Sequence, residues 1–559
     1  MATIDGDDIE WEVWETLDRQ WPRRLLDIET MTSLERQAGN VYGNQREPKY
    51  SILSYTWGRW QIPGCCGLQV DGVTWQIPGL DESLAFTKAQ FKQVLQKMGH
   101  QNRFAWVDVF CIDQEDYAVK MDEIGRQVGI FANADRVYCW LWTHETASLT
   151  TILRDLNGVY FNEVRDNRAP WDPSADQPSI TGTYPQQLHP VTAERSQVLL
   201  PILRQLADCT ASLLGDWWFS SLWTLQESAL RTDAFILSRS GDLIRYPTPV
   251  ESWYNIRTVS TTLKSIYIRL EDICVAYWDF ESGRVGRAII DIMRQSGLSV
   301  WGTCPNIQLS VARFRQATHE LDRIYGVMSL YGLRVGSTNI HSDMAKVYTF
   351  EELEYEFVAA VNAHSPLLGQ MFLHAERPRI GRTWQLNQRI RVPDDLAIYS
   401  AEYHSFDRCA IVASPYNPTV IKGRICPLDQ LSSLWWATTV PHPLIGESDE
   451  GFYYNVMIDD YIPREHPSVP AFLNADLASG EQRMLWSSET VSALLEEFGN
   501  NAISVFELGE CFVPGYREVF GLLLLHEKGC RQRSTRLGIA RWVEEIKIVP
   551  WVLYEGEIY

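Results

Sequence analysis

The chain has 559 residues, which is too many for one hydrophobic core and predicts two or three domains. Its formal net charge of −21 argues against the concentrated basic face that a nucleic-acid partner needs, although two or three local N–H or arginine groups would suffice for a nucleotide-sized ligand. The start carries no secretory signal, no stretch is apolar enough to span a bilayer, and the 11 cysteines and 11 histidines are scattered without metal-ligand spacing. We therefore expect a reduced, cytoplasmic protein with no membrane span and no metal site.

Apolar segments in the first half alternate between strand and helix patterns. Polar residues 1–47 are expected to form a helical extension, and a domain then follows over residues 48–240, with a surface insertion at about 143–190. The alternation predicts an open parallel α/β sheet with right-handed crossovers. The expected strands lie at residues 49–55, 104–111, 136–142 and 234–237, and the expected helices at 81–98, 119–131, 196–214 and 220–230.

The second half has a different pattern. Residues 241–370 are expected to be mainly helical, and residues 371–559 contain many short alternating runs. Such runs are typical of a largely antiparallel sheet. The predicted fold class is therefore α/β with a parallel sheet in the N-terminal half, followed by a C-terminal α+β region containing a largely antiparallel sheet.

Four motifs follow one another in the N-terminal half. They are YSILSYTWG at residues 50–58, WVD through CIDQ at 106–114, the segment 127–141 and SLWTLQE at 221–227. Each is weak alone, but in this order they resemble the fungal heterokaryon-incompatibility (HET) domain, over roughly residues 22–237 with an echo near 317–333. HET domains are similar to TIR domains, so the resemblance implies a flavodoxin-like sheet.

The resemblance also implies a chemistry. In enzymatic TIR domains a W-C-x-x-E helix supplies a glutamate that cleaves the nicotinamide–ribose bond of NAD. Trp223 and Glu227 stand in the same i, i+4 relation and would share one helix face. This makes Glu227 the expected catalytic residue and NAD a candidate substrate, with no certain cofactor.

Further candidate residues follow from the strand order. Open α/β sheets bind ligands beside the carboxyl ends of their strands, and loops after the first two strands would meet there. One tryptophan could stack on a base, Arg59 could meet a phosphate, and Gly58 would let the backbone come close. The expected ligand-binding residues are Trp57, Gly58, Arg59, Asp108, Asp113, Gln114 and Trp223.

Structural roles compete with these functional ones. Glu227 could cap or pair within the domain, and Asp108 could tie the first strand to its neighbour. Trp57 could belong to the core, and Cys111 has no partner in sequence that would activate it. Gln226 could orient Glu227 or face solvent.

Three classes of function remain open at this stage. The first is an allorecognition or cell-death effector that cleaves NAD or assembles with a protein partner or with itself. The second is a non-catalytic interaction module. The third is an enzyme of fungal secondary metabolism built on the HET scaffold.

Overall fold

The computed structural model forms two compact units. Unit 1 comprises Met1–Asn167, Ala193–Gly302 and Phe314–Leu353, and unit 2 comprises Arg168–Thr192, Thr303–Arg313 and Glu354–Tyr559. The expected domain boundaries stay predictions, because these units are defined by packing alone. The described residues are 21–158, 193–246, 252–298, 304–339, 346–393, 396, 405–414, 418–437, 454–470, 480–513, 516–543 and 549–559.

Unit 1 contains a mixed sheet of eight strands. In spatial order the sheet reads β10-β9-β5-β8-β1-β2-β3-β4, and a separate hairpin pairs β6 with β7. The strands are β1 (Arg24–Asp27), β2 (Thr32–Gln37), β3 (Val41–Tyr42), β4 (Gln45–Arg46), β5 (Tyr50–Ser54), β6 (Gln61–Cys66), β7 (Pro78–Leu80), β8 (Phe104–Trp106), β9 (Arg136–Trp140) and β10 (Phe235–Leu237).

The four strands β8, β5, β9 and β10 are parallel. In the register, Tyr50 lies opposite Phe104, Ser51 opposite Arg136, and Phe235 opposite Tyr138. Because successive parallel strands need crossover connections, helices separate them in the chain. The mixed α/β class with a parallel sheet segment is thus confirmed for the N-terminal half.

Several helices of unit 1 bury apolar faces in the same hydrophobic core as this sheet. The first begins at Lys88 because the Thr87 hydroxyl and the Gln90 side chain form a reciprocal capping box, and it buries Phe91 and Val94. The helices are α1 (Lys88–Gly99), α2 (Asp108–Cys111), α3 (Tyr117–Gly125), α4 (Gln127–Asn133), α5 (Thr146–Gly158), α6 (Ala193–Leu214), α7 (Leu222–Leu230), α8 (Ile256–Ala276), α9 (Glu281–Ser296) and α11 (Asp322–Met328), with α10 (Pro305–Ala312) in unit 2.

Three local expectations are wrong. Residues 24–46 form strands rather than a helical extension, whereas residues 1–20 lie outside the described part. The strand predicted over 104–111 ends at Trp106, because the chain turns into α2 at Asp108. The helix predicted over 119–131 is broken at Arg126, whose φ of −96° and ψ of 1° leave the helical range.

Two other expected elements differ from the structure in their bounds. Of the insertion predicted at about 143–190, residues 146–158 form helix α5, and residues 159–190 lie outside the described part. Helix α1 begins at Lys88 and not at Asp81, so Leu84 is 62% exposed instead of lying on its buried face.

Unit 2 contains the antiparallel sheet that the sequence predicts. Strands β15, β17, β18, β19 and β20 pair in a closed ring, since β15 also pairs with β17, and only β19 and β20 run parallel. The described strands are β11 (Leu373–His374), β12 (Ile390–Arg391), β13 (Ser405–Asp407), β14 (Ala410–Val412), β15 (Thr419–Pro427), β16 (Tyr454–Ile458), β17 (Ile503–Val513), β18 (Tyr516–Glu527), β19 (Cys530–Val543) and β20 (Val552–Ile558).

In the described residues, no helix combines the length and the apolar character that crossing a bilayer requires. All eleven cysteines are described and each is a free thiol.

Candidate functional site

Glu227 lies at the carboxyl end of the central parallel strand. Ser54, the last residue of β5, donates its hydroxyl hydrogen bond to Oε2 of Glu227. The Ser54 hydroxyl in turn accepts a hydrogen bond of 2.8 Å from the indole N–H of Trp218. Helix α7 therefore directs Glu227 to the sheet edge where open α/β sheets bind ligands.

Burial changes the acidity of this carboxyl group. Desolvation by surrounding protein, together with a smaller contribution from the nearby charge of Asp108, raises the pKa of Glu227 to about 8 despite the lowering effect of the Ser54 hydrogen bond. The residue nevertheless keeps some solvent-accessible surface. Glu227 is therefore largely protonated at neutral pH.

The raised pKa predicts a pH-dependent difference in stability. A carboxyl group whose pKa is higher in the folded state than in the unfolded state destabilises the fold increasingly as the pH rises from about 4.5 to about 8. Glu227→Gln removes this effect. Between pH 5 and pH 9, we expect the unfolding free energy of Glu227→Gln to rise by about 2 kcal/mol relative to that of wild type. This is less than the full pKa shift would give, because Glu227 is partly exposed.

Chemical denaturation at both pH values measures this difference. Glu29→Gln, which removes an exposed carboxylate, is the matched control and should show no such change. An equal gain in both variants would contradict the buried environment of Glu227.

Asp108 joins three groups at the next strand. It accepts hydrogen bonds from the Tyr55 hydroxyl at 2.9 Å, the Trp57 indole N–H at 2.6 Å and the Val109 backbone N–H at 2.8 Å. Burial raises its pKa, although all three hydrogen bonds oppose that shift. The carboxylate therefore links the loop after β5 to the start of α2. This is the structural role that competes with ligand binding for Asp108.

Replacing this carboxylate separates its roles. Asp108→Asn keeps one acceptor for the Tyr55 hydroxyl but turns an N–H₂ group toward the Trp57 indole N–H, where two donors oppose each other. We expect a loss of about 2 kcal/mol in unfolding free energy, measured by urea denaturation. Asp71→Asn, at an exposed position, should change it by less than about 0.5 kcal/mol. A neutral Asp108→Asn substitution would rule out an intact Asp108–Trp57 bond.

Trp57 also lines an apolar hollow beside this acid. Its N–H is used by Asp108, so its ring is held against the hairpin of β6 and β7, which the sequence did not predict. The hollow has a volume of only about 30 Å³, which is room for about one water molecule and not for an aromatic base. The hollow is lined by Tyr55, Trp57, Gly67, Leu68, Ile77, Pro78, Leu80, Glu82, Phe86, Lys88, Phe91 and Val109.

Gly58 and Arg59 follow Trp57 on the exposed rim. A Cβ added at Gly58 would meet only the Thr318 hydroxyl oxygen, at 3.9 Å, so no close contact demands glycine there. The Arg59 guanidinium donates to the Ser220 hydroxyl at 2.8 Å and lies 5.3 Å from the Trp217 ring centre. Arg59 is thus held at the turn that leads into α7.

Asp113 and Gln114 serve the turn after α2. The Asp113 carboxylate accepts from the backbone N–H groups of Glu115 and Asp116 at 2.9 and 3.1 Å. The Gln114 amide donates to the carbonyl oxygen of Ile112 at 3.3 Å. These bonds shape the local turn and do not bring either side chain to Glu227.

Trp223 and Glu227 share a helix but reach different partners. The Trp223 indole donates a hydrogen bond to Asp322 at the start of α11, whose pKa is raised by burial and lowered by the charges of His319 and Lys120. The sequence pattern gave no role to Asp322, His319 or Lys120. Only the Asp-Arg-Ile-Tyr segment at residues 322–325, part of the HET resemblance, pointed to this region.

Gln226 and Cys111 are both buried. Gln226 neither orients Glu227 nor faces solvent, because it is fully buried and donates to the Gln127 side chain at 2.6 Å. Burial raises the pKa of the Cys111 thiol to about 12, so this cysteine is a poor nucleophile, as expected.

Comparison with known proteins identifies the domain that holds this site. Searches of curated proteins and of solved structures returned no match. Residues 50–227 match the family model described as "Heterokaryon incompatibility protein (HET)", and this range runs from the first residue of β5 to Glu227 itself. The chain therefore contains a heterokaryon-incompatibility domain at residues 50–227, and this domain contains the β5–α7 site.

Proposed function

We propose that the HET domain of this protein hydrolyses the nicotinamide–ribose bond of NAD, with Glu227 as the catalytic carboxylate. At the family level the domain suggests a function related to heterokaryon incompatibility. Loss of NAD would give such a protein a route to stopping cell growth. The observation that carries the proposal is the position of Glu227, hydrogen-bonded to the last residue of the central parallel strand.

The order of the parallel strands supports a TIR-like, flavodoxin-type fold. Numbered along the chain from β5, the strands lie in the spatial order 2-1-3-4, which is the order of flavodoxin-like sheets. In such sheets the ligand crevice opens between strands 1 and 3, beyond their carboxyl ends. These strands are β5 and β9, and Ser54 ends the first of them.

One carboxylate is sufficient for the chemistry. The nicotinamide ring of NAD is cationic, so it leaves as a neutral molecule when the C–N bond breaks and its electron pair goes to the ring nitrogen. The ribose carbon then carries oxocarbenium-like positive charge, which an ionised Glu227 would stabilise or trap as an ester before water attacks. The cationic ring would itself favour the ionised form of Glu227 when it binds.

The experiment is the release of nicotinamide from NAD by the purified full-length chain, followed by chromatography. Wild type, Glu227→Gln and the control Glu29→Gln are compared. Release by wild type and by the control, but not by Glu227→Gln, supports the proposal. A wild-type protein that releases no nicotinamide, while still arresting growth when expressed, would instead favour an interaction module.

A further inference from the structure

Two arginines share the turn that leads into α7, which we call the entry turn (residues 218–221). Arg59 donates to the Ser220 hydroxyl at 2.8 Å. Arg315 donates to two carbonyl oxygens of the same turn, that of Trp218 at 3.3 Å and that of Ser221 at 3.2 Å. Two guanidinium groups therefore donate hydrogen bonds to the same four-residue segment.

Neither guanidinium has an acidic partner among the described residues. Arg315 is only 2% exposed, and it donates to backbone carbonyl oxygens alone, the third being that of Ser296 at the end of α9. Its Nε atom is buried without a hydrogen-bond partner, and so is the Nη2 atom of Arg59. Both arginines thus keep a buried N–H donor that the described protein does not satisfy.

This arrangement is unfavourable in the absence of an anion. Moving a cation out of water is costly unless a counter-charge accompanies it, and buried donors without partners add to the cost. Burial and the charge of Arg59 together lower the pKa of Arg315 to about 9. The chain has 71 acidic and 50 basic residues, so acidic side chains are abundant elsewhere in it.

We propose that Arg59 and Arg315 bind a phosphate or pyrophosphate group of a nucleotide at the entry turn. Guanidinium groups form paired hydrogen bonds with phosphate oxygens, which would satisfy the two free donors. The positive end of the nine-residue helix α7 adds to the attraction for an anion.

The entry turn also connects this anion site to the glutamate. The Trp218 carbonyl oxygen accepts from Arg315, while the Trp218 indole N–H donates to Ser54, which donates to Glu227. Trp218 and Ser54 therefore connect Arg315 to the carboxyl group of Glu227. A nucleotide could place its ribose at Glu227 and its phosphates at the arginines, and to that extent the inference rests on the proposed function.

Binding of inorganic pyrophosphate, measured by calorimetry on the full-length chain, tests the anion site directly. We expect wild type to bind pyrophosphate and Arg59→Gln to bind it at least tenfold more weakly. Arg59→Lys should have an intermediate affinity, because lysine keeps the positive charge but cannot form the paired hydrogen bonds of a guanidinium group. Arg59 is partly exposed, so these variants should fold. The matched control is Arg46→Gln in the edge strand β4, an exposed arginine that should leave binding unchanged.

Absence of pyrophosphate binding by wild type, or equal weakening in the Arg46→Gln control, would overturn the inference. Parallel titrations with ADP-ribose and with adenosine separate a nucleotide from free pyrophosphate, since only ADP-ribose should compete with pyrophosphate and adenosine should not. Arg59-dependent binding without any nicotinamide release would keep the anion site and reject NAD cleavage. Nicotinamide release that pyrophosphate does not inhibit would keep the proposed function and reject the anion site.

Discussion

Glu227→Gln is expected to lower nicotinamide release from NAD by at least about a hundredfold. Glutamine has nearly the same shape and can still accept the Ser54 hydrogen bond, so the site should remain intact. It carries no negative charge, however, and cannot balance the positive charge that forms on the ribose. The expected loss therefore falls mainly on kcat, and KM should also rise because an ionised Glu227 attracts the cationic nicotinamide ring. Initial rates over a range of NAD concentrations measure both.

The pH dependence of the wild-type reaction provides a second measurement of the same group. Because the reaction needs the ionised carboxylate, kcat/KM should rise with pH and level off above the pKa of about 8 in the free protein. The cationic nicotinamide ring would lower that pKa in the complex, so the inflection in kcat should lie at a lower pH. An inflection of kcat/KM near the ordinary glutamate value of 4.5, or a Glu227→Gln variant as active as Glu29→Gln, would contradict the role of Glu227.

The sequence predicted the part of this site that depends on local pattern. A strand at 49–55 and a helix at 220–230 follow from hydrophobic periodicity, and their approximate positions agree with β5 and α7. The i, i+4 spacing of Trp223 and Glu227 gave one shared helix face. It did not determine which neighbour each side chain meets, because Trp223 reaches Asp322 and Glu227 reaches Ser54.

Errors arose where a polar side chain redirected the backbone. The run around Asp108 looks like a continuous buried strand, yet the chain turns there because the carboxylate accepts three hydrogen bonds from the Tyr55 hydroxyl, the Trp57 indole and the Val109 backbone. Similarly, residues 24–46 form strands β1 to β4, which are held in the sheet because β1 pairs with the distant strand β8, as in the register of Leu26 with Ala105. Local propensity contains no information about such pairing.

Arg59 was expected to meet a phosphate, but Arg315, the second residue of the proposed anion site, could not be identified from the sequence for a different reason. Arg315 stands 256 positions after Arg59 in the chain, and no motif of the HET resemblance contains it. Its importance comes from burial without an acidic partner, which depends on the packing of α9 and the entry turn around it. The absence of an acidic partner for a buried arginine can be seen only in the three-dimensional structure.

Unit 2 holds a buried ion pair whose disruption should have the largest effect on stability. Arg536 in β19 and Asp459 after β16 are both fully buried, with Nε and Oδ2 separated by 3.7 Å. Arg536 also donates to the Gln370 side chain at 2.9 Å and to the Phe372 carbonyl oxygen, and its guanidinium carbon lies 4.0 Å from the Phe372 ring centre. Asp459 accepts the backbone N–H of His374 at 2.9 Å.

Arg536→Met is expected to lower the unfolding free energy of unit 2 by about 3–5 kcal/mol, because methionine fills similar space but leaves the Asp459 carboxylate buried without its counter-charge. Adding Asp459→Asn should recover part of this loss, since asparagine removes the stranded charge and can still accept the His374 N–H. Urea denaturation of both single variants and the double variant measures this coupling. Arg533 lies in the same strand as Arg536 and forms an exposed pair with Glu557 of β20, so Arg533→Met should cost no more than about 1 kcal/mol. Strictly additive losses from Arg536→Met and Asp459→Asn would mean that the two charges do not stabilise each other.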